Sequence, residues 1–152
     1  MKLRVKSASV TDLKRLYEIE KECFSSEAFS MEQLAFLLEN PSSISLIALA
    51  DNEIVGFIIG IVHEGLKTEN VGHVFTLDVA EKYRRKGIAL RLLRELEKKF
   101  KEKNVKESIL EVKLDNEAAK KLYKKFGYKE ILCLKDYYGK GVHGLRLRKV
   151  LK

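Results

Sequence analysis

The sequence predicts a mixed α/β (α+β) domain, a mostly antiparallel twisted sheet of about seven strands flanked by four helices. Three observations carry this expectation. Two apolar, β-branched runs in ISLIALADNEIVGFIIGIVHE (44–64) flank Asp51-Asn52-Glu53, the signature of a hairpin. Strand-like runs at 72–80 and 107–114 enclose a helical run at about 87–102, a unit that closes as a right-handed crossover. No repeat, linker or low-complexity stretch interrupts the 152 residues, so residues 1–152 are expected as a single domain.

Taken in order, LRVKSA (3–8) alternates as a short strand. Thr11 and Asp12 stand before Leu13, Leu16, Tyr17 and Ile19, helical spacing behind an N-cap. Ser30 precedes MEQLAFLLEN, a second short helix with Glu32 in its first turn. It ends at Asn40-Pro41, because a residue before proline is pushed out of helical backbone space. After the hairpin and the strand GHVFTLDVA (72–80), Ile88, Leu92, Leu96 and Phe100 recur at fours with Ala89 and Leu93 beside them, the apolar stripe of a helix. ESILEVKL (107–114) is a strand. Asp115-Asn116 caps a helix through AAKKLYKKF that stops at Gly127. YKEILCL (128–134) and GLRLRKVL (144–151) complete the sheet, giving the order β-α-α-β-β-β-α-β-α-β-β.

Composition narrows the function. A hydrophobic share of 45% with one proline belongs to a folded chain. No run reaches the roughly 18–20 apolar residues that span a bilayer, and MKLRVKSASV lacks the apolar segment of a secretory signal. The expectation is a cytoplasmic protein with no membrane partner. Cys23 and Cys133 have no ligand spacing and are expected as core or near-core thiols; with three histidines and no CxxC or HxxxH, no metal site is expected. His63 and His143 are expected at the surface. The net charge of +8 is uneven: residues 1–60 carry six Lys+Arg against nine Asp+Glu, residues 81–103 ten against four, and residues 135–152 six against one. Such asymmetry fits nucleic acid, a membrane surface, a polyanionic cofactor, or a lysine- and glutamate-rich surface with no such partner. A nucleic-acid module needs aromatics interleaved with its cations. Residues 84–103 hold only Phe100, on the apolar helix face, so no specific nucleic-acid partner is expected.

Arg84, Arg85 and Lys86 stand directly before Gly87, where the helix dipole disfavours cations. The N–H groups of a helix start bind phosphate oxygens, Gly87 and Ala89 let a ligand approach the backbone, and the cations add charge. Neither GxxxxGK[ST] nor GxGxxG is present. Read by itself, the loop is a phosphate cradle or a solvated basic turn.

Three segments carry a resemblance. Arg84-x-x-Gly87-x-Ala89 behind a strand resembles the acyl-coenzyme A loop (Q/R-x-x-G-x-G/A) of the GNAT acetyltransferases. LEVKLDNEAAKKLYKKFGY (110–128) resembles that superfamily's second hallmark, an Asn-x-x-Ala run before Leu-Tyr and a Gly-aromatic pair. DYYGKGVHGLRLRK (136–149) resembles the end of RimI-like and archaeal Ard-type N-terminal acetyltransferases. The element order is similar over essentially the whole chain.

The resemblance implies a GNAT fold, acetyl-CoA as cofactor with coenzyme A as product, and acetylation of the free α-amino group of protein or peptide N-termini. Transfer would be direct, in a ternary complex; neither cysteine falls at a matched catalytic position, which argues against an acetyl-enzyme. Leu77, Asp78 and Val79 would hold the pantetheine through backbone groups, with the Val79 N–H polarising the acetyl carbonyl. Main-chain contacts of Arg85, Lys86, Gly87, Ile88 and Ala89 would hold the pyrophosphate, with Arg84 a further cofactor-binding residue of the loop. Glu111 is implied as general base, Tyr123 as the acid for the thiolate and Asn116 as a cofactor contact, with His73 the second candidate base. The loop Cys23–Phe29 between the first two helices, Phe29 included, and the pair Tyr137-Tyr138 would hold the acceptor's backbone, and Glu27 would meet the substrate terminus. Without the resemblance, Glu111 reads as an exposed-face carboxylate, Tyr123 as a boundary aromatic, Asn116 as an N-cap, His73 as structural and Glu27 as a loop acid. A small amine (polyamine or aminoglycoside) or a lysine side chain is the alternative acceptor. The tyrosine pair, able to sandwich a main chain, argues for a peptide. The first-residue preference and any ribosome or auxiliary-subunit partner stay open.

Overall fold

The computed structural model describes residues 1–65 and 69–152. In chain order the elements are β1 (Leu3–Ser7), α1 (Leu13–Phe24), α2 (Met31–Glu39), β2 (Ser43–Ala50), β3 (Glu53–His63), β4 (Asn70–Val79), α3 (Ile88–Glu102), β5 (Val105–Lys113), α4 (Glu117–Lys125), β6 (Lys129–Leu134) and β7 (Gly144–Val150). The strands form one sheet in the order β1-β2-β3-β4-β5-β7-β6, and among the described residues only β4 and β5 run parallel. Among the described residues no helix is long and apolar enough to cross a membrane.

Local chemistry explains the boundaries. Ser30 and Gln33 form a reciprocal capping box, Ser30 Oγ accepting from the Gln33 N–H at 3.1 Å and Gln33 Oε1 from the Ser30 N–H at 2.8 Å. At the start of α1, Asp12 holds the preceding 3-10 turn through the Ser9 N–H at 2.9 Å rather than capping the helix itself. The hairpin turns on Asp51 and Asn52 at φ 48° and 73°, the pair of left-handed residues that a two-residue turn between twisted strands requires.

Two cores lie on opposite faces of the sheet. One packs α3 and α4 through Ile88, Leu92, Leu96, Phe100 and Tyr123. The other packs α1 and α2 through Leu16, Ile19, Leu34 and Leu37. Among the described residues β6 pairs only with β7, and its own residues are largely exposed. Cys133 is therefore exposed, against the expectation of a core thiol, because no further strand or helix covers this edge. His143 is half-buried rather than a surface residue: its Nδ1 accepts from the Asp136 N–H at 3.0 Å.

Two irregularities in β4 shape the site. Gly60 opposes Val74 and Ile59 opposes Thr76, so Phe75 is an extra, bulged residue. The bulge shifts the strand's phase by one: Val74 packs toward α3, Phe75 toward α1 and α2, and Leu77 and Val79 toward α3 again. Pairing between β4 and β5 spans only Asn70–His73 against Val105–Ile109, although β4 continues to Val79 and β5 to Lys113. The two parallel strands part.

Candidate active site

The β3–β4 ladder shows what faces the gap. Ala80 donates to the Val55 carbonyl at 2.8 Å, and its neighbour pair is Val79 opposite Gly56. Bonded and non-bonded pairs alternate in an antiparallel ladder, so Leu77 and Val79 turn their N–H and C=O groups away from β3 and into the opening beside β5. Arg84 fills part of it. Its Nε donates to the Val79 carbonyl at 3.1 Å and its Nη2 reaches Cys23 Sγ at 3.4 Å. The Arg84 guanidinium, matched by the sequence to the cofactor loop, thus lies against the Val79 carbonyl and the Cys23 thiol. Burial, then the neighbouring Asp78, push the Cys23 thiol up to about 11 against the pull of Arg84. The thiol stays protonated and is no nucleophile at neutral pH.

Beyond β4 the loop closes into a cradle. Arg85 and Gly87 sit at φ 63° and 79°, a left-handed alternation that turns successive N–H groups toward a common space. A Cβ on Gly87 would meet nothing within 4 Å, so the position is open. The N–H groups of Arg85, Lys86 and Gly87 donate to no other described residue, and the first turn of α3 leaves its own donors unused. Arg85 and Lys86 are exposed and form no ion pair among the described residues. Open N–H groups, two cations and a helix start with Ile88 buried and Ala89 half-buried fit a pyrophosphate. The backbone edge of Leu77 and Val79 fits the extended chain that joins it to a thioester. The residues present fit acetyl-CoA.

Where the strands part, His73 and Glu111 meet. His73 Nε2 lies 2.6 Å from Glu111 Oε1, and Arg146 Nε donates to Glu111 Oε2 at 2.9 Å. The Glu111 side chain is only 7% exposed. Burial pushes its carboxyl up, but the hydrogen bonds and charges of His73 and Arg146 outweigh burial and hold it below the ordinary carboxylate range. A carboxylate only accepts, so Nε2 carries the hydrogen and the Nδ1 lone pair of the neutral ring is left for other work.

Tyr123 is buried beside Tyr128, ring centroids 5.6 Å apart, with no hydrogen-bond partner on its hydroxyl among the described residues. Burial, then Asp78 and Tyr138, push its phenol well above the ordinary range, so it stays protonated. Asn116 caps α4, its Oδ1 accepting from the Ala119 N–H at 3.0 Å. Asp78 stands opposite Phe57 in a bonded pair of the ladder, so its backbone groups face β3, and its side chain is buried beside Thr76 on the α1 side.

On the acceptor side, Glu27 pairs with Lys113 and ties the α1–α2 connection to β5. Tyr137 and Tyr138 meet edge to face, centroids 4.9 Å apart. Burial, then Glu111, raise the Tyr137 phenol; burial, then Tyr137, raise that of Tyr138. A groove of about 770 Å³, lined by Phe29, Gln33, Phe36, Leu37, Phe75 and Tyr137 among others, opens beside the dyad. The Phe75 ring lies 4.4 Å from His73. Arg146, Lys113 and Phe75 were not marked by the sequence. Cross-strand register places Arg146 opposite Glu111, and the bulge turns Phe75 onto the site.

The model of the acetyltransferase (GNAT) family matches residues 13–128. An N-alpha-acetyltransferase of Sulfurisphaera tokodaii is 32% identical over 146 residues, covering 91% of this chain and 87% of the relative. Ard1 from Thermoplasma volcanium superposes with a TM-score of 0.90 at 21% identity, covering 100% and 99% of the two chains. An aminoglycoside 6'-N-acetyltransferase complexed with coenzyme A superposes at 0.85 with 20% identity, covering 98% and 97%.

Proposed function

The chain belongs to the acetyltransferase (GNAT) family, and from that premise we propose that it acetylates the free α-amino group of protein N-termini, by direct attack in a ternary complex. The observation that carries this is the His73–Glu111 contact of 2.6 Å, placed where β4 and β5 part and beside an aromatic groove. Acetyl-CoA supplies the activated thioester. Leu77 and Val79 orient it through backbone groups, the Val79 N–H facing the place where charge develops on the carbonyl oxygen. His73 Nδ1 takes the amine proton, directly or through a water, and Glu111 fixes the tautomer and stabilises the imidazolium, itself held by Arg146. Glu111 is thus assigned as the orienting carboxylate rather than the base. Tyr123 Oη gives its proton to the departing thiolate.

The base strength favours an α-amine. An α-ammonium has a pKa of about 8 and a lysine ammonium about 10.4, so at pH 7 the deprotonated fraction differs by roughly 250-fold. A base of imidazole strength handles the first. The tyrosine pair and Phe29 suit a backbone that enters between α1–α2 and β6–β7, and the named N-alpha-acetyltransferase relative supports the same acceptor. Protein N-termini and acetyl-CoA meet in the cytoplasm, where this reading puts the protein.

Mass spectrometry of a peptide panel incubated with acetyl-CoA tests it. The panel varies the first residue (Ser, Ala, Thr, Met, Glu) and adds a lysine peptide with a blocked N-terminus and a polyamine. Acetylation confined to free α-amines is expected. Acetylation of only the blocked lysine peptide or the polyamine would transfer the assignment to a side-chain or small-amine acceptor. Tyr123→Phe is expected to lower kcat on the accepted peptide by about 10²-fold, the low end of general acid catalysis.

A further inference from the structure

Three side chains that acetyl transfer leaves unused meet between β4 and α1. Glu20, Thr76 and Asp78 are 1%, 5% and 1% exposed. Thr76 Oγ1 lies 2.9 Å from Glu20 Oε1 and in short contact with Asp78 Oδ1. Glu20 Oε2 accepts from the Phe29 N–H at 3.0 Å. Asp78 Oδ2 is buried with no partner among the described residues.

A hydroxyl owns one proton and can donate to only one of the two carboxyls. The other carboxyl must itself be protonated and donate back to Thr76. Two carboxylates held this close in the interior do not both stay ionised. Hydrogen-bond satisfaction decides which one keeps the proton. Thr76 touches one oxygen of each; of the two remaining, Glu20 Oε2 receives the Phe29 N–H whereas Asp78 Oδ2 receives no donor among the described residues, which favours Glu20 as the anion and Asp78 as the acid. The groups facing Asp78 are Glu20 and Cys23 of α1, Arg84 of the loop and Tyr123 of α4. Burial and Glu20 raise the Asp78 carboxyl well above its ordinary range, and Arg84 only partly opposes them.

We propose that Asp78, Thr76 and Glu20 form a one-proton strut that positions the acceptor loop against the cofactor strand. Its direction is Asp78 Oδ1–H to Thr76 Oγ1, Thr76 O–H to Glu20 Oε1, and Phe29 N–H to Glu20 Oε2. One end is the residue between Leu77 and Val79. The other is Phe29, which lines the acceptor groove. Thr76 and Glu20 are positioning residues: they act on the acceptor through Phe29. The inference rests on the acceptor assignment made above.

Two measurements test it separately. In steady-state kinetics with an accepted N-terminal peptide, Thr76→Val should raise the peptide KM about tenfold, the worth of one buried hydrogen bond. Acetyl-CoA affinity should change far less, and Thr76→Ser, which restores the hydroxyl, should return the KM toward the wild-type value. An unchanged KM in Thr76→Val, or no rescue by serine, overturns the positioning role. The proton is read without any acceptor, from urea unfolding of the wild type and Asp78→Asn between pH 5 and 9. The folded carboxyl titrates above its ordinary 3.8, so its contribution is full below that value and is lost as pH rises toward the folded pKa. The wild-type folding constant should therefore fall with pH by up to about tenfold per unit more steeply than that of Asp78→Asn. Parallel profiles overturn the protonated Asp78, and they do so even if no peptide is a substrate.

Discussion

Replacing His73 by alanine is expected to lower kcat/KM for an N-terminal peptide by about 10²–10³-fold, within what a positioned base contributes. The imidazole has one free ring nitrogen at the parting of β4 and β5, and both oxygens of its partner Glu111 are occupied, by His73 and by Arg146. Glu111→Gln keeps an acceptor for Nε2–H while removing the charge that stabilises the imidazolium, so its loss should be smaller, about tenfold. The double variant should be no slower than His73→Ala, because residues acting as one unit do not lose rate additively. pH separates the two assignments. The Glu111 carboxyl titrates below its ordinary 4.5. Its contribution to folding is therefore full above that value and is lost only as pH falls through the lower folded pKa. An acidic limb of kcat that Glu111→Gln keeps and His73→Ala loses is the expected mark of an imidazole base. A limb that disappears with Glu111→Gln, together with the larger loss of rate, would return the base role to Glu111.

Much of this site was legible because its parts are local. Arg85, Gly87 and Ala89 lie within five residues, and the strand-to-helix context that gives them meaning is set by apolar period alone. Ile88, Leu92, Leu96 and Phe100, read at fours, are all 0–1% exposed. The hairpin at Asp51-Asn52 and the capping serine at 30 are likewise short-range devices. What was hidden depends on register. Glu111 and Arg146 are 35 positions apart and meet only because β7 pairs with β5 in one phase. Thr76 and Glu20 are 56 apart and meet only because the bulge at Phe75 turns Thr76 toward α1. A motif shows that a cation stands at the loop but not which way it points. Arg84 belongs to the matched pattern, yet folds back onto Val79 and Cys23. Edge position is also unreadable from composition: CL in YKEILCL resembles a core strand, and β6 lies at the rim.

Phe100→Ala is expected to destabilise the fold by about 3–5 kcal/mol, the usual cost of emptying a buried phenylalanine site. The ring is 0% exposed and lies over β3 and β4 where both strands carry glycine; a Cβ on Gly60 or Gly72 would come within 2.8 or 2.5 Å of it. Those glycines bring the last turns of α3 so close to the sheet that no neighbour can relax into the space the ring leaves. Urea denaturation should show a lower midpoint with an unchanged slope, since the surface exposed on unfolding is nearly the same. Phe36→Ala, at a ring 69% exposed, should stay within about 0.5 kcal/mol. Gly72→Ala is the complementary change: it adds a methyl where the ring already sits, and overpacking of this kind costs about 1–3 kcal/mol. The same contact has a functional consequence. Phe100 anchors the C-terminal end of the helix whose N-terminus forms the cradle, while Gly72 lies next to His73 on β4. A helix loosened at Phe100 shifts the pyrophosphate cradle relative to the His73–Glu111 dyad, so Phe100→Ala should also raise the KM for acetyl-CoA under conditions where the protein remains folded.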